Sequence, residues 1–326
     1  MKKVLVLYSR ASINYPHILT DDEEMESNAF LISKILASHN IEYYLLGLEK
    51  DLKLIKKWCK KEKWIVFNLC EHLDGDYRKE YLVARFLERN KINFTGNTSY
   101  ALKVAQNKME CKKILRKENL PVLPYKVFTK RDKNLDISFK FPAIVKPLYQ
   151  DGSSGLNENS IVKNKRGLKH QLEFIFENFN EPAIVEPFLC GREFNVSVIG
   201  REKKMALPVS EIDYSELPSS IPKILTYDAK WSRNKIAYKL TKPICPAKIS
   251  KELEKKLKSM ALKAGSLLKC RDYYRVDFRT DEKGNPFILE VNPNPDISPD
   301  AGLARACKAK GIEYEDFILR LVKWAS

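Results

Sequence analysis

Arg275, Asp277, Glu290 and Asn292 are the residues of this chain whose types and spacing most directly suggest chemistry. Each pair sits two positions apart inside an apolar run, Tyr273-Tyr-Arg-Val-Asp-Phe-Arg279 and Pro286-Phe-Ile-Leu-Glu-Val-Asn292. Side chains two apart on a strand share a face, so Arg275 falls beside Asp277, and Glu290 beside Asn292. The intervening Thr280-Asp-Glu-Lys-Gly-Asn-Pro286 has the composition of a turn. It predicts an antiparallel hairpin that gathers three hard oxygen side chains next to a guanidinium. Mg²⁺ favours such oxygens and commonly leaves its other positions to substrate phosphates. Salt-bridged or edge carboxylates are the plain alternative. They would leave polar groups among Val276, Phe278, Ile288 and Leu289 at a desolvation cost that a cation removes.

Two other segments carry cationic or phosphate-compatible chemistry. Lys146 interrupts the apolar Phe141-Pro-Ala-Ile-Val-Lys-Pro147, an unusual place for an ammonium unless it meets an anion or guards a sheet edge. Gly152-Ser-Ser-Gly155 follows it, with the flexibility and exposed amides to wrap a phosphate chain. No G-x-x-x-x-G-K-[ST] sequence exists, and no glycine-rich dinucleotide fingerprint follows the first strand. Lys108 lies among Lys103, Lys112 and Lys113, which on composition alone are surface lysines.

The elements that must position these groups alternate from the start. Strands are expected over 3–8, 41–46 and 64–69, and helices near 24–38, 52–61 and 77–90, which is the pattern of an open parallel α/β unit. Its functional loops would follow the first and third strands, at 9–22 and 70–76. A helix over 105–118, an extended 121–128, strands over 183–188, 193–199 and 205–212, a loop over 213–234, a helix over 250–268, the hairpin and a helix over 314–324 complete the reading. The length of 326 residues predicts two or three lobes with a cleft between them.

Composition excludes several classes. The apolar fraction is 44% and the charged fraction 31%, as in a folded globular protein. No apolar run reaches the roughly 18 residues that span a bilayer, and the first eight residues are too short for a signal peptide. Seven scattered cysteines without a C-x-x-C pair argue against a disulfide framework or zinc site, and point to the cytoplasm. The net charge of +16 is spread along amphipathic helices such as 50–63 and 251–263. It reads as a solvated surface that attracts anionic substrates, not as a nucleic-acid tract.

Several motifs occur in one order: 64–96, Gln106-Asn-Lys108, Ile144-Val-Lys-Pro147, Gly152-Ser-Ser-Gly155, Ile184-Val-Glu-Pro-Phe-Leu-Cys-Gly-Arg-Glu193, Tyr227-Asp-Ala-Lys-Trp231, Arg275-Val-Asp277 and Glu290-Val-Asn-Pro293. Together they resemble the D-alanine–D-alanine ligase-like branch of the ATP-grasp family over nearly the whole chain. The resemblance implies an α/β ATP-grasp fold with α+β lobes: an N-terminal open parallel (preATP-grasp) domain over 1–97, a central lobe over 98–190 and a C-terminal lobe over 191–326. It implies an ATP-dependent carboxylate–amine ligase that forms an acyl phosphate, acting on amino acids or small peptides, and it admits a homodimer. Lys108 and Lys146 would hold ATP phosphates under a covering loop of Gly152, Ser153, Ser154 and Gly155. Glu186 and the hinge of Pro187, Phe188 and Leu189 would meet adenine, with Glu193 on the ribose. Lys230 would approach the γ-phosphate, and Asp277, Glu290 and Asn292 would hold Mg²⁺ or Mn²⁺. Arg275, Lys230 and Ser154 form the implied catalytic set.

The chain departs from that branch at its first-substrate end. Tyr8-Ser-Arg-Ala-Ser12 replaces a Gly-Gly-x-Ser turn, and Cys70-Glu-His-Leu-Asp-Gly-Asp76 replaces a longer His-Gly loop. Trp231 stands where the family has a tyrosine, and Ala301 aligns with a serine that grips the acceptor carboxylate. Asp296 and Asp300 bring negative charge to that segment, which implies an acceptor with positive or extra polar groups rather than plain D-alanine. His72 and Glu24 are further substrate candidates. A true D-alanine–D-alanine ligase and a non-catalytic ATP-binding module remain the alternatives. Against the module stand Lys146, Arg275, Asp277, Glu290 and Asn292.

Overall fold

The computed structural model describes residues 3–11, 16–59 (16–21 by backbone alone), 64–150, 152–218, 220–226, 229–230, 232 and 234–326. Among these, the strands form three sheets. The first is parallel, with β1 (Lys3–Ser9) between β2 (Glu42–Leu48) and β3 (Trp64–Asn68). As the central strand, β1 is buried nearly throughout, which is why it reads as a continuous apolar run. Its alternation divides it between two cores. Leu5 and Leu7 pack with Ile55 of α2 (Lys53–Cys59) and with Val83 and Leu87 of α3 (Glu80–Arg89). Val4 and Val6 face Ala29, Ile32 and Leu36 of α1 (Pro16–Ser38).

The second sheet, in the order β4-β7-β5-β6, is antiparallel and small. It comprises β4 (Lys126–Phe128), β5 (Ala143–Pro147), β6 (Ile161–Val162) and β7 (Ala183–Pro187), backed by Leu168, Leu172 and Ile175 of α6 (Lys165–Asn178). The third runs β11-β10-β8-β12-β13, with β9 alongside β8. Its members are β8 (Glu193–Ile199), β9 (Met205–Ala206), β10 (Ser210–Asp213), β11 (Lys242–Ile244), β12 (Tyr273–Thr280) and β13 (Pro286–Asn292). A 17-residue helix over Lys251–Leu267 packs beneath it. A Cβ on Gly265 of that helix would lie 2.0 Å from the Tyr274 ring, so only glycine allows so close an approach.

A buried polar clasp fastens the first sheet to the third. Arg201 makes a bidentate pair with Asp272 at 2.7 Å per bond, and Asp272 also accepts the Gly96 amide at 2.8 Å. Asn97 donates to the Tyr273 carbonyl at 2.6 Å. The start of β12, and with it the hairpin, is thereby set against the N-terminal lobe. The C-terminal helix Tyr314–Trp324 places Phe317, Ile318 and Leu321 in the same core as Val4 and Val6.

Several expected elements differ in extent. The helix expected over 105–118 is α5 (Lys108–Lys117), and a separate helix, α4 (Ser99–Gln106), precedes it; the Asn107 side chain accepts the Glu110 amide and starts α5 anew. The strand over 205–212 divides into β9 and β10 around Pro208, which has no amide for the ladder. The helix expected from residue 24 begins at Pro16, a residue suited to a first helical turn. Among the described residues no helix is long and apolar enough to cross a membrane.

Candidate active site

The hairpin forms with the expected faces. Asp277 pairs directly with Glu290 and Arg275 with Asn292, and the register then jumps so that Phe278 meets Ile288. Leu289 is the extra residue of this bulge, and bulges re-aim side chains beside functional sites. The Arg275 guanidinium grips both oxygens of Asp277, at 2.7 Å each. Burial works against its charge, yet Asp277 and Glu290 hold its pKa above the ordinary arginine value.

Asp277 and Glu290 come within hydrogen-bonding reach of each other. Burial pushes the Asp277 carboxyl up and the Glu290 charge adds to this, against the pull of Arg275. Glu290 goes down: burial opposes its charge, but Lys108, Lys146 and Arg275 outweigh burial. Two facing carboxylates under strong positive potential form a site that a divalent cation would complete. Among the described residues no three His, Cys, Asp or Glu side chains form a metal cage of their own. Two carboxylates and the Asn292 amide are instead an oxygen-only partial set, which fits Mg²⁺ with further oxygens from a phosphate chain.

Cations enter from the second sheet and the helix beside it. Lys146 on β5 reaches Glu186 Oε2 on β7 at 3.3 Å. Lys108, in the first turn of α5, donates from Nζ to the Gln150 carbonyl. One turn on, Lys112 lies 2.7 Å from Glu186 Oε1 and donates to the Leu289 carbonyl at 3.0 Å. Burial would raise the Glu186 carboxyl, but Lys112 and Lys146 hold it below the usual range. Composition placed Lys112 at the surface; only 2% of its side chain is exposed.

The loop at 152–155 is sharply wound. Gly152, Ser153 and Gly155 all have positive φ, and a Cβ on Gly155 would lie 2.5 Å from Pro147 Cγ. It closes over a cavity of about 100 Å³ lined by Lys108, Lys146, Ser154, Glu193, Lys230 and Glu290 among others. Beyond the hairpin lies a larger cavity of about 930 Å³. Leu225 and the charged Glu193, Lys230, Arg275 and Asp277 border both spaces, so groups bound on the two sides would meet at these residues. Glu193 accepts from Tyr214 and Arg279, and burial pushes its carboxyl up.

The remaining expected residues divide. Glu24, Asp296 and Asp300 line the larger cavity, and Asp296 accepts both the amide and hydroxyl of Ser298 at 2.7 Å. Asn292 borders a third, small space shared with Lys108 and Glu290. Glu186, Pro187, Phe188 and Leu189 line neither main cavity; Phe188 is tied by its amide to the Pro142 carbonyl. His72 is fully buried, with Nε2 2.8 Å from Asp22 and Nδ1 taking the Gly75 amide. It lines neither space and instead braces the start of α1. Trp231 lies outside the described residues.

Sequence reasoning missed Lys112 and Arg279. For Arg279 a signal existed, since positions 275, 277 and 279 share one face of a strand. For Lys112 the signal was its spacing of one helical turn from Lys108.

Comparison with known proteins bears on this arrangement. Residues 114–323 match the family model described as D-ala D-ala ligase C-terminus. A D-alanine–D-alanine ligase of Aquifex aeolicus is 30% identical over 290 residues, 88% of this chain and 90% of that protein. One from Pelotomaculum thermopropionicum is 30% identical over 263 residues, 78% of each chain. An uncharacterised protein of Sinorhizobium fredii, y4sG, is 30% identical over 254 residues, 78% of this chain and 72% of its own. The crystal structure of D-alanine–D-alanine ligase from Bacillus anthracis complexed with ATP superposes with a TM-score of 0.76 at 21% identity, covering 99% of this chain and 97% of that one.

Proposed function

The chain belongs to the D-alanine–D-alanine ligase family, and from that premise we propose that it couples a small amino acid or peptide carboxylate to an amine through an acyl phosphate. It is an ATP-grasp ligase that uses ATP and Mg²⁺. The observation that carries the residue assignment is the meeting of Lys230, Arg275 and Asp277 at the border of two cavities, one flanked by Lys108, Lys146 and the 152–155 loop.

In this reading Lys108, Lys146 and Lys230 hold the phosphate chain and neutralise charge on the transferred phosphoryl group, which needs positioning more than covalent help. Asp277, Glu290 and Asn292 hold Mg²⁺, which supplies a further positive charge to the phosphate oxygens. Arg275, kept rigid by its bidentate pair with Asp277, stabilises the oxyanion that forms when the amine attacks the acyl phosphate. Ser154 and the loop around it exclude water from that intermediate. Glu193 engages the ribose, and the 186–189 segment flanks adenine. The three lobes 1–97, 98–190 and 191–326 form the working units, in the cytoplasm, and a homodimer is checked by light scattering.

The acceptor is the finer question. The larger cavity, about 930 Å³, lies near the upper end for small-molecule sites. It is bordered by Glu24, Asp296 and Asp300 in a chain of net charge +16. These carboxylates favour an acceptor carrying positive charge or several polar groups. Phosphate release from ATP, followed by mass spectrometry of products from a pooled amino-acid and peptide library, tests this. Cationic acceptors should give the highest turnover. Strict dependence on D-alanine for both substrates would make this a plain D-alanine–D-alanine ligase, and nucleotide binding without substrate-stimulated release would make it a binding module.

A further inference from the structure

Arg279 has a side chain only 4% exposed, yet the mechanism above gives it no task. Nη1 donates to Glu193 Oε2 at 2.9 Å and Nη2 to the Lys223 carbonyl at 2.5 Å. Its Cζ lies 5.0 Å from the Phe188 ring centroid and 5.7 Å from that of Tyr214. Nε is buried and has no hydrogen-bond partner among the described residues, although Arg279 lines the smaller cavity beside Glu193 and Lys146. An unpaired N–H on a buried cation is costly, so this donor is placed for an acceptor that the described residues do not provide.

We propose that Arg279 is a nucleotide-positioning residue that reads a ribose hydroxyl together with Glu193 and ties the chain at Lys223 to that contact. A hydroxyl is both donor and acceptor. Glu193 accepts its hydrogen bond while Arg279 Nε–H donates to its oxygen, so the adjacent carboxylate and guanidinium satisfy it in both senses. The same guanidinium holds the Lys223 carbonyl, which links ribose binding to a position seven residues before Lys230 in the sequence. The planar fork of arginine serves these three partners at fixed angles, whereas a lysine ammonium cannot. The inference rests on the ATP-dependent reading above.

The test is calorimetric binding of ATP, 2′-deoxy-ATP and 3′-deoxy-ATP, with Mg²⁺, to the full chain and to Arg279→Lys and Arg279→Met, with melting curves to confirm folding. Wild type should lose about tenfold in affinity when the hydroxyl that is read is removed, the scale of one hydrogen bond. The variants should bind ATP about tenfold more weakly and no longer distinguish the sugars, with the loss appearing in KM for ATP rather than in kcat. Folded variants that bind ATP as wild type does, or that still discriminate the sugars, overturn the assignment. So does a wild type that binds all three nucleotides alike, without recourse to any variant. A wild type that binds no nucleotide overturns the ATP reading itself.

Discussion

Lys112 and Glu186 form an ion pair 2.7 Å apart with side chains 2% and 0% exposed, next to the Lys146 ammonium and the β12–β13 hairpin. The same Lys112 ammonium holds the carbonyl of Leu289, the bulged residue next to Glu290. One buried lysine therefore joins the sheet that carries Lys146 and Glu186 to the strand that carries Glu290.

Removing one partner should be worse than removing both. Lys112→Met leaves Glu186 with Lys146 alone and should destabilise the fold by about 3 kcal/mol, the low end for breaking a buried pair. The double variant Lys112→Met/Glu186→Leu should recover much of that loss. Urea unfolding of the two single variants and the double closes the cycle.

Acid should act through the same carboxylate. Because the folded-state pKa of Glu186 lies below its ordinary value, its contribution is fully present above the unfolded value of about 4.3. It is lost as pH falls from there through the folded value. Melting temperatures of wild type and Glu186→Gln followed downward from pH 6 should converge in that window. Parallel curves would deny Glu186 a part in acid sensitivity.

Arg275 should matter to the chemical step more than to nucleotide binding. Arg275→Lys keeps a charge but loses the two-point grip on Asp277, and kcat should fall by roughly 10²–10³, the scale of removing one oxyanion donor. ATP affinity, measured separately by calorimetry, should change far less.

If Glu290 holds the metal as proposed, its substitution should raise the Mg²⁺ requirement specifically. Glu290→Gln should demand a higher Mg²⁺ concentration for half-maximal phosphate release and lower kcat/KM by about 10² or more. A Mg²⁺ titration like that of wild type would place the metal elsewhere.

Gly155→Ala should disturb the covering loop. Its φ of +76° and the 2.5 Å approach to Pro147 Cγ leave no room for a methyl group. A left-handed penalty of about 1–2 kcal/mol should raise KM for ATP about tenfold, read by initial rates.

The alternation of β12 and β13 was legible because the pleat has a period of two and the turn between them is marked by Gly284 and Asn285. The tail helix over Tyr314–Trp324 was legible for the corresponding reason at a helical period. The break at Asn107 was not, because Asn107 also fits a helix interior, and only its bond to the Glu110 amide marks it as a cap. His72 followed the third strand as expected of a loop ligand. Whether its ring faces a cavity or Asp22 depends on a helix 50 residues away in sequence.

What the sequence determined by itself was local: which oxygens share a strand face, which residues can turn, and hence that a cationic, oxygen-lined pocket would form around Arg275, Asp277, Glu290 and Asn292. The tertiary structure alone decided which cations are buried. Lys112 resembles its neighbour Lys113 in composition, and the packing of α5 against β13 and β7 places one against Glu186 and leaves the other 56% exposed. Arg279 likewise owes its two Nη contacts to Glu193 and Lys223, both distant in sequence, and its Nε has no partner among the described residues. Desolvation is a property of all the surrounding elements at once, and no window of neighbouring residues contains it.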